Sequence, residues 1–257
     1  MLIKQCKMLN ANMEKRFSYF LKKHNFKKYY DPYSPCIFFS LWGLGSLKNH
    51  KSFALIIWRG TDVVKMKDKL KAIKKRKNTY HIAISSYIAK DLDEYGIKYK
   101  MIPIVGVDMK HFQPEPMGNE IYTYIPHTNN KKYHERYGMQ MIKALKKRIK
   151  YKINITHPDK YSRTKIVKIY KKCFCSLRFT KHDGLPSQVI EMGLMGRKSF
   201  YNGGIPGSIR WDKNINNIIE NIEIEAKKIG AIDYNYPKEI SNFINIKDKW
   251  KNTSFWT

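Results

Sequence analysis

Residues 173–196 hold, in one short stretch, the pattern that most restricts what this chain can fold into: an apolar run, a polar turn and an amphipathic helix in direct succession. Residues 173–179 alternate at the period of a strand. Gly184, Leu185 and Pro186 then open a helix whose Val189, Ile190, Met192 and Leu194 recur at helical spacing. The same succession runs through the rest of the sequence. Strand-like runs at 36–42, 53–58, 81–85, 101–105, 120–125, 151–156 and 199–202 are separated by helix-like segments, which predicts an α/β architecture on parallel sheets rather than a sandwich or a bundle. At 257 residues the chain fits two compact domains. The segment 113–118, with Pro114 and Pro116, is the natural linker, giving an N-terminal domain over 1–112 and a C-terminal domain over 113–257.

Chemistry is expected at the mouth of the 186–196 helix. Pro186 is read as the first helical residue, where a missing N–H has no intrahelical partner to lose, and Gly184 lets a ligand approach the backbone. The N–H groups of a helix start, with the positive end of its dipole, suit a phosphate. Asp183 stands just before that mouth, and Glu191 lies eight positions later inside the helix. A bland reading is a solvated helix with two unrelated acids. The specific reading comes from a likeness: the acid at 183, Gly-Leu-Pro behind it, Glu191, then Gly193 and Gly196 resemble the donor motif of retaining glycosyltransferases of GT-B fold.

That resemblance implies two Rossmann-like domains facing across a cleft, here with a shortened N-terminal domain. It further implies that Glu191 grips the ribose hydroxyls of a nucleotide-sugar and that Asp183 lies near the transferred sugar. Gly184, Leu185, Pro186 and Ser187 would hold the diphosphate, with Arg178, Lys181 and His182 close enough in sequence to join the donor site. Asp183 departs from the commoner Glu of the family. Family members usually bring a basic residue to the diphosphate from the loop that corresponds to 126–136. Lys131, Lys132 and Arg136 are the candidates, while Tyr137-Gly138 stands where Lys-Gly is commoner. A second ordered series resembles the end of the first domain in that family: Ser85 or Ser86 at a helix start, Gly96 as its stop, Ile-Pro-x-x-Gly-Val-Asp ending in Gly106 and Asp108, then Phe112-x-Pro114.

In the first half, the run 53–58 ends in Arg59, Gly60, Thr61 and Asp62, at the carboxyl end of a strand where sites of open α/β sheets gather. A similar turn faces the donor in the resembling family. Arg59 and Asp62 therefore join Asp183 as catalytic candidates, with Gly60, Gly106 and Asp108 on the acceptor side. A helix N-cap made by Thr61 or Asp62 is the structural alternative. Gly43-x-Gly45 after the preceding strand reads as a turn more than a phosphate cradle.

Charge is the outlying composition. Fifty Lys and Arg face 21 Asp and Glu, a formal +29, which attracts polyanions. Lys65, Lys67, Lys69, Lys71, Lys74, Lys75, Arg76 and Lys77 surround Met66, Leu70 and Ile73 in a cationic amphipathic helix. Such a face is either solvated or a track for a phosphate backbone or anionic lipid. Cys6, Cys36, Cys173 and Cys175 lack the spacing of a zinc site and are expected as buried free thiols in a reducing cytoplasm. The apolar runs 36–45 and 53–58 are too short to span a bilayer, so a soluble or peripheral protein is expected. No Asp-x-Asp metal motif is read in the sequence, so no obligatory metal is expected.

The resulting expectation is a glycosyltransferase with a UDP- or GDP-sugar as co-substrate. Its acceptor is expected to be hydroxymethylated pyrimidine in viral double-stranded DNA, reached in the host cytoplasm. The alternatives are a peripheral-membrane glycosyltransferase working on a lipid or surface polysaccharide at an anionic membrane, and a non-catalytic basic nucleic-acid-binding protein.

Overall fold

The computed structural model describes residues 5–7, 18–23, 25–26, 30–39, 44–60, 63, 67–126, 131–156 and 161–245. The chain divides into two units. Unit 1 takes Met1–Val107, His182–Leu185 and Ile244–Thr257; unit 2 takes Asp108–Lys181 and Pro186–Phe243.

Unit 1 is built on five parallel strands, β1 (Gln5–Lys7), β2 (Cys36–Phe39), β3 (Ala54–Trp58), β4 (Thr79–Ala83) and β5 (Lys100–Met101), hydrogen-bonded in chain order. Its described helices are α1 (Ser18–Lys23), α2 (Leu44–Asn49), α3 (Lys67–Lys75) and α4 (Ser86–Glu94). β2 and β3 are buried along their whole length, which is why they read as continuous apolar runs. Neighbouring residues part to opposite faces of the sheet. Cys36, Phe38, Ala54, Ile56 and Trp58 enter one core with Leu70 and Ile73 of α3 and Ile88 and Leu92 of α4. Ile37, Phe39, Leu55, Ile57 and Ile82 enter the other. His81 is buried on β4 and accepts a hydrogen bond from Trp58 Nε1 at 3.0 Å. Burial pulls its pKa down to about 4, so it sits neutral in the sheet.

The predicted strand 101–105 shortens most. β5 ends at Met101 and Ile102 gives the last bond to β4, its N–H to Ala83 O at 2.9 Å, because Pro103 has no N–H to donate and Ile104 turns its own onto Ile102 O at 2.9 Å. Both isoleucines stay buried. The segment keeps its place in the core but loses its ladder.

Unit 2 carries a second parallel sheet, β6 (Glu120–Tyr124), β7 (Ile153–Thr156), β8 (Cys173–Leu177) and β9 (Lys198–Phe200), in the order β7-β6-β8-β9. Its described helices are α5 (Lys131–Arg136), α6 (Met139–Lys146), α7 (Arg163–Lys171), α8 (Ser187–Leu194), α9 (Ile215–Ala226) and α10 (Asn235–Ile244). α6 starts at Met139 and is preceded by the separate short α5. Gly138 between them has φ +71°, and a Cβ there would stand 2.5 Å from Phe179 Cβ, so the chain passes too close for any larger residue. The isoleucines of α9 pack as a stripe, with Ile218 and Ile222 buried and Ile215 and Ile219 beside them.

Arg197 ties this unit together. Its side chain is fully buried, and the guanidinium donates from Nε to Cys173 O (3.1 Å), from Nη1 to Glu115 O (3.0 Å) and Met195 O, and from Nη2 to Pro116 O (2.6 Å). The linker, the start of β8 and the turn after α8 are thereby held by one fork. All four cysteines are free, with Cys36, Cys173 and Cys175 buried as expected and Cys6 only half-buried; burial pushes the Cys173 thiol up to about 12 and raises that of Cys175, so both remain protonated. Among the described residues no helix is long and apolar enough to cross a membrane.

Candidate functional site

β8 delivers the chain to the stretch singled out from sequence, and α8 carries it back through unit 2. Pro186 is the N-cap (φ −70°, ψ 120°) rather than the first helical residue, so the helix starts one residue later than expected. Pro186 has no side-chain acceptor and so makes no side-chain cap hydrogen bond, and Ser187 opens the first turn. Glu191 sits in the second turn, half-buried, and its Oε2 accepts a hydrogen bond from Tyr170 Oη at 2.9 Å. Tyr170 projects from α7 into the interior, where it is 2% exposed and packs edge-on against Tyr122 of β6, with ring centroids 4.8 Å apart. Tyr122 Oη is in turn hydrogen-bonded to Thr156 Oγ1 at 2.5 Å. Burial, then the Glu191 carboxylate, raises the Tyr170 pKa far above the ordinary phenol value, and Tyr122 is pushed up to about 12. Both phenols therefore stay protonated and available as donors.

Arg178 follows β8 directly. It is 6% exposed, and its guanidinium lies over the rings of Tyr137 (4.7 Å to the centroid) and Tyr124 (5.3 Å). A cation is thus packed on the very tyrosine that stands where the resembling family has lysine. Lys181, Lys131, Lys132 and Arg136 are exposed in the same unit.

The loop before α8 belongs to unit 1. There His182 Nε2 pairs with Asp91 Oδ2 of α4 at 2.7 Å, and the imidazole lies 5.4 Å from the ring of Tyr87. Asp183 accepts the Gly184 N–H at 2.9 Å; together with burial, its charge raises the Tyr87 pKa. Gly184 rests on Gly60: a Cβ on it would stand 2.8 Å from Gly60 N and 3.2 Å from Gly60 Cα, and Gly60 itself has φ +57°. Leu185 packs into the core face lined by Ile37 and Leu55. Two predicted glycines from distant parts of the sequence are thus in backbone contact, at the carboxyl end of β3 beside half-buried Arg59.

Other expected residues have other placements. Asp62 and Lys65 lie outside the described residues, as do Gly43 and the side chain of Lys67; Gly45 is in α2. Gly106 is buried in unit 1. Asp108, in unit 2, caps a 3-10 turn by accepting the Lys110 N–H at 3.2 Å. On α3 and the turn after it, Lys74 donates to Tyr95 O at 3.2 Å and Arg76 to Ser52 O at 2.9 Å, while Lys69, Lys71, Lys75 and Lys77 are exposed cations. The reading that the sequence has no Asp-x-Asp is corrected by Asp91-Leu92-Asp93, which lies within α4, where positions i and i+2 diverge; Asp91 pairs with His182 and Asp93 accepts from Tyr99 at 3.0 Å.

Tyr170, Tyr122 and Asp91 are absent from the sequence-derived candidates. Tyr170 follows Ile166 by four positions on the apolar stripe of α7, so its periodicity signals packing and hides its hydroxyl. Asp91 carries no local signal, since its partner is 91 residues away.

No protein-family model and no curated protein matches the chain. Solved structures do. TarM superposes with a TM-score of 0.61 at 15% identity over 91% of this chain and 56% of its own. The sucrose-phosphate synthase of Thermosynechococcus elongatus gives 0.58 at 13% identity over 91% and 74%. A point mutant of S. aureus TarM, in complex with Fondaparinux, alpha-GlcNAc-glycerol and UDP, gives 0.60 at 16% identity over 91% and 57%. This chain spans little more than half the length of TarM. At such identities the likeness establishes architecture: two Rossmann-like units on parallel sheets, the GT-B fold of glycosyltransferases.

Proposed function

We propose that this chain transfers a sugar from a nucleoside diphosphate donor to an acceptor hydroxyl, with the start of α8 and Glu191 as the nucleotide-binding half. The observation that carries this reading is Glu191 itself, an acid in the second turn of α8 held by a buried phenol. N–H groups at that start, with Arg178 and Lys181 nearby in sequence, supply positive potential for a departing diphosphate. The UDP bound in the S. aureus TarM mutant complex supports a uridine nucleotide as the first donor to try. Retention at the anomeric carbon, with Asp183 on the sugar side and no obligatory metal, belongs to the same reading, as does a cytoplasmic place of action.

The test is calorimetric titration of the full chain with UDP and GDP. Glu191→Ala removes a charged acceptor worth about 1.5–3 kcal/mol to bound hydroxyls, so affinity for the preferred nucleotide is expected to fall roughly tenfold to a hundredfold. An affinity unchanged within about twofold rejects the assignment.

For the acceptor, the exposed Lys69, Lys71, Lys75 and Lys77 favour a polyanion. Double-stranded DNA carrying hydroxymethylated pyrimidine is the acceptor we propose. Binding to such duplexes is expected to weaken steeply between low and physiological salt, with sugar mass added to the base when a nucleotide-sugar is present. Tighter binding to anionic vesicles than to duplex would point to the membrane alternative, and duplex binding without transfer from any donor to the non-catalytic one.

A further inference from the structure

Three buried residues stand behind Glu191 in unit 2: Thr156 at the end of β7, Tyr122 on β6 and Tyr170 on α7. Tyr170 Oη reaches the carboxylate at 2.9 Å, its ring packs edge-on against that of Tyr122, and Tyr122 Oη is hydrogen-bonded to Thr156 Oγ1. Thr156, Tyr122 and Tyr170 are 4%, 1% and 2% exposed, so water does not compete for these hydrogen bonds. The ring of Phe112 lies beside that of Tyr170, centroids 6.3 Å apart. Because Glu191 has no proton to give when ionised, Tyr170 is the donor to it. Arg178 is the cation that faces Tyr122 electrostatically in this cluster.

We infer that Tyr170, fixed by its packing against Tyr122, is the positioning residue for Glu191: it holds the carboxylate in one orientation before the nucleotide arrives. This rests on the donor reading above. A glutamate has three side-chain torsions, and a hydrogen bond from a buried, immobile phenol removes that freedom in advance. The residue touches no substrate. Its effect is on how much of the ligand's binding is lost to ordering the acid.

The experiment uses the full chain and UDP, with GDP in parallel, titrated from pH 4.5 to 8. Glu191→Gln tests the reading, and Tyr170→Phe, which keeps the ring and removes only the donor, tests the inference. Tyr170→Phe is expected to weaken UDP binding about fivefold or more at neutral pH and to move the acid limb of the affinity profile upward. A carboxylate that loses a donor to its charged form titrates higher, and a packing defect alone would not move that limb. If Glu191→Gln weakens binding while Tyr170→Phe leaves affinity and limb unchanged, the positioning role is overturned and the donor reading stands. If Glu191→Gln has no effect either, the donor reading fails and takes this inference with it. Should Tyr170→Phe unfold, 3-fluorotyrosine incorporated at position 170 keeps the ring and the hydroxyl while making the phenol a stronger donor, and an affinity and limb unchanged by it overturn the inference equally.

Discussion

Replacing Arg197 with leucine is expected to unfold unit 2 at temperatures where the wild type is intact. Leucine fills part of the volume but leaves four carbonyls, those of Cys173, Glu115, Met195 and Pro116, without the guanidinium that serves them. A buried acceptor stripped of its donor costs on the order of 1–3 kcal/mol. Even with relaxation the sum is about 4 kcal/mol, a large part of the roughly 5–15 kcal/mol that holds a domain folded. The melting temperature should fall by roughly ten degrees. Lysine is expected to recover little, because a single ammonium cannot reproduce the planar fork that reaches three segments at once. Differential scanning calorimetry of both variants decides the matter: a drop under about three degrees for Arg197→Leu would show that the buried cation is dispensable.

Gly184→Ala is expected to act on chemistry far more than on stability. The added methyl meets the amide and Cα of Gly60, both backbone and both without a rotamer to yield, so the tetrapeptide His182–Leu185 must lift from its seat. Such crowding costs about 1–3 kcal/mol, enough to shift Asp183 without melting the unit. Displacing a reacting group by about 1 Å costs on the order of a hundredfold in rate. On the proposed reading, in which Asp183 lies on the sugar side and α8 with Glu191 binds the nucleotide, hydrolysis of a UDP-sugar without acceptor should slow by about two orders of magnitude, while the UDP dissociation constant changes less than about threefold. Equal losses in both, or none in turnover, would remove Asp183 and its loop from the mechanism.

What the sequence made legible follows from how its signals are encoded. The buried strands announced themselves, because an apolar run such as Ala54–Trp58 flanked by polar turns has few ways to fold other than as the middle of a parallel sheet. Ser85 and Ser162 cap their helices, as local side-chain chemistry demands. The two acids stood out by spacing and likeness. Other features were illegible for a shared reason. Arg197 is one of 50 basic residues, and nothing local marks the one whose neighbours turn out to be carbonyls. Tyr170 and His182 owe their roles to partners 21 and 91 residues away. The early stop of β5 was encoded locally in Pro103, and only the apolar pattern around it argued the other way.

The excursion of four residues from one unit into the other has a consequence for how this protein can be taken apart. Because His182–Leu185 rests on Gly60 and pairs with Asp91, a cut between residues 107 and 108 does not release two self-sufficient foldons. The downstream fragment would carry a tetrapeptide whose seat had been left on the other piece, and the upstream fragment a sheet end stripped of its cover. Fragment complementation, in which the two pieces are mixed and recover a common cooperative transition, is the natural assay for a fold sewn in this way.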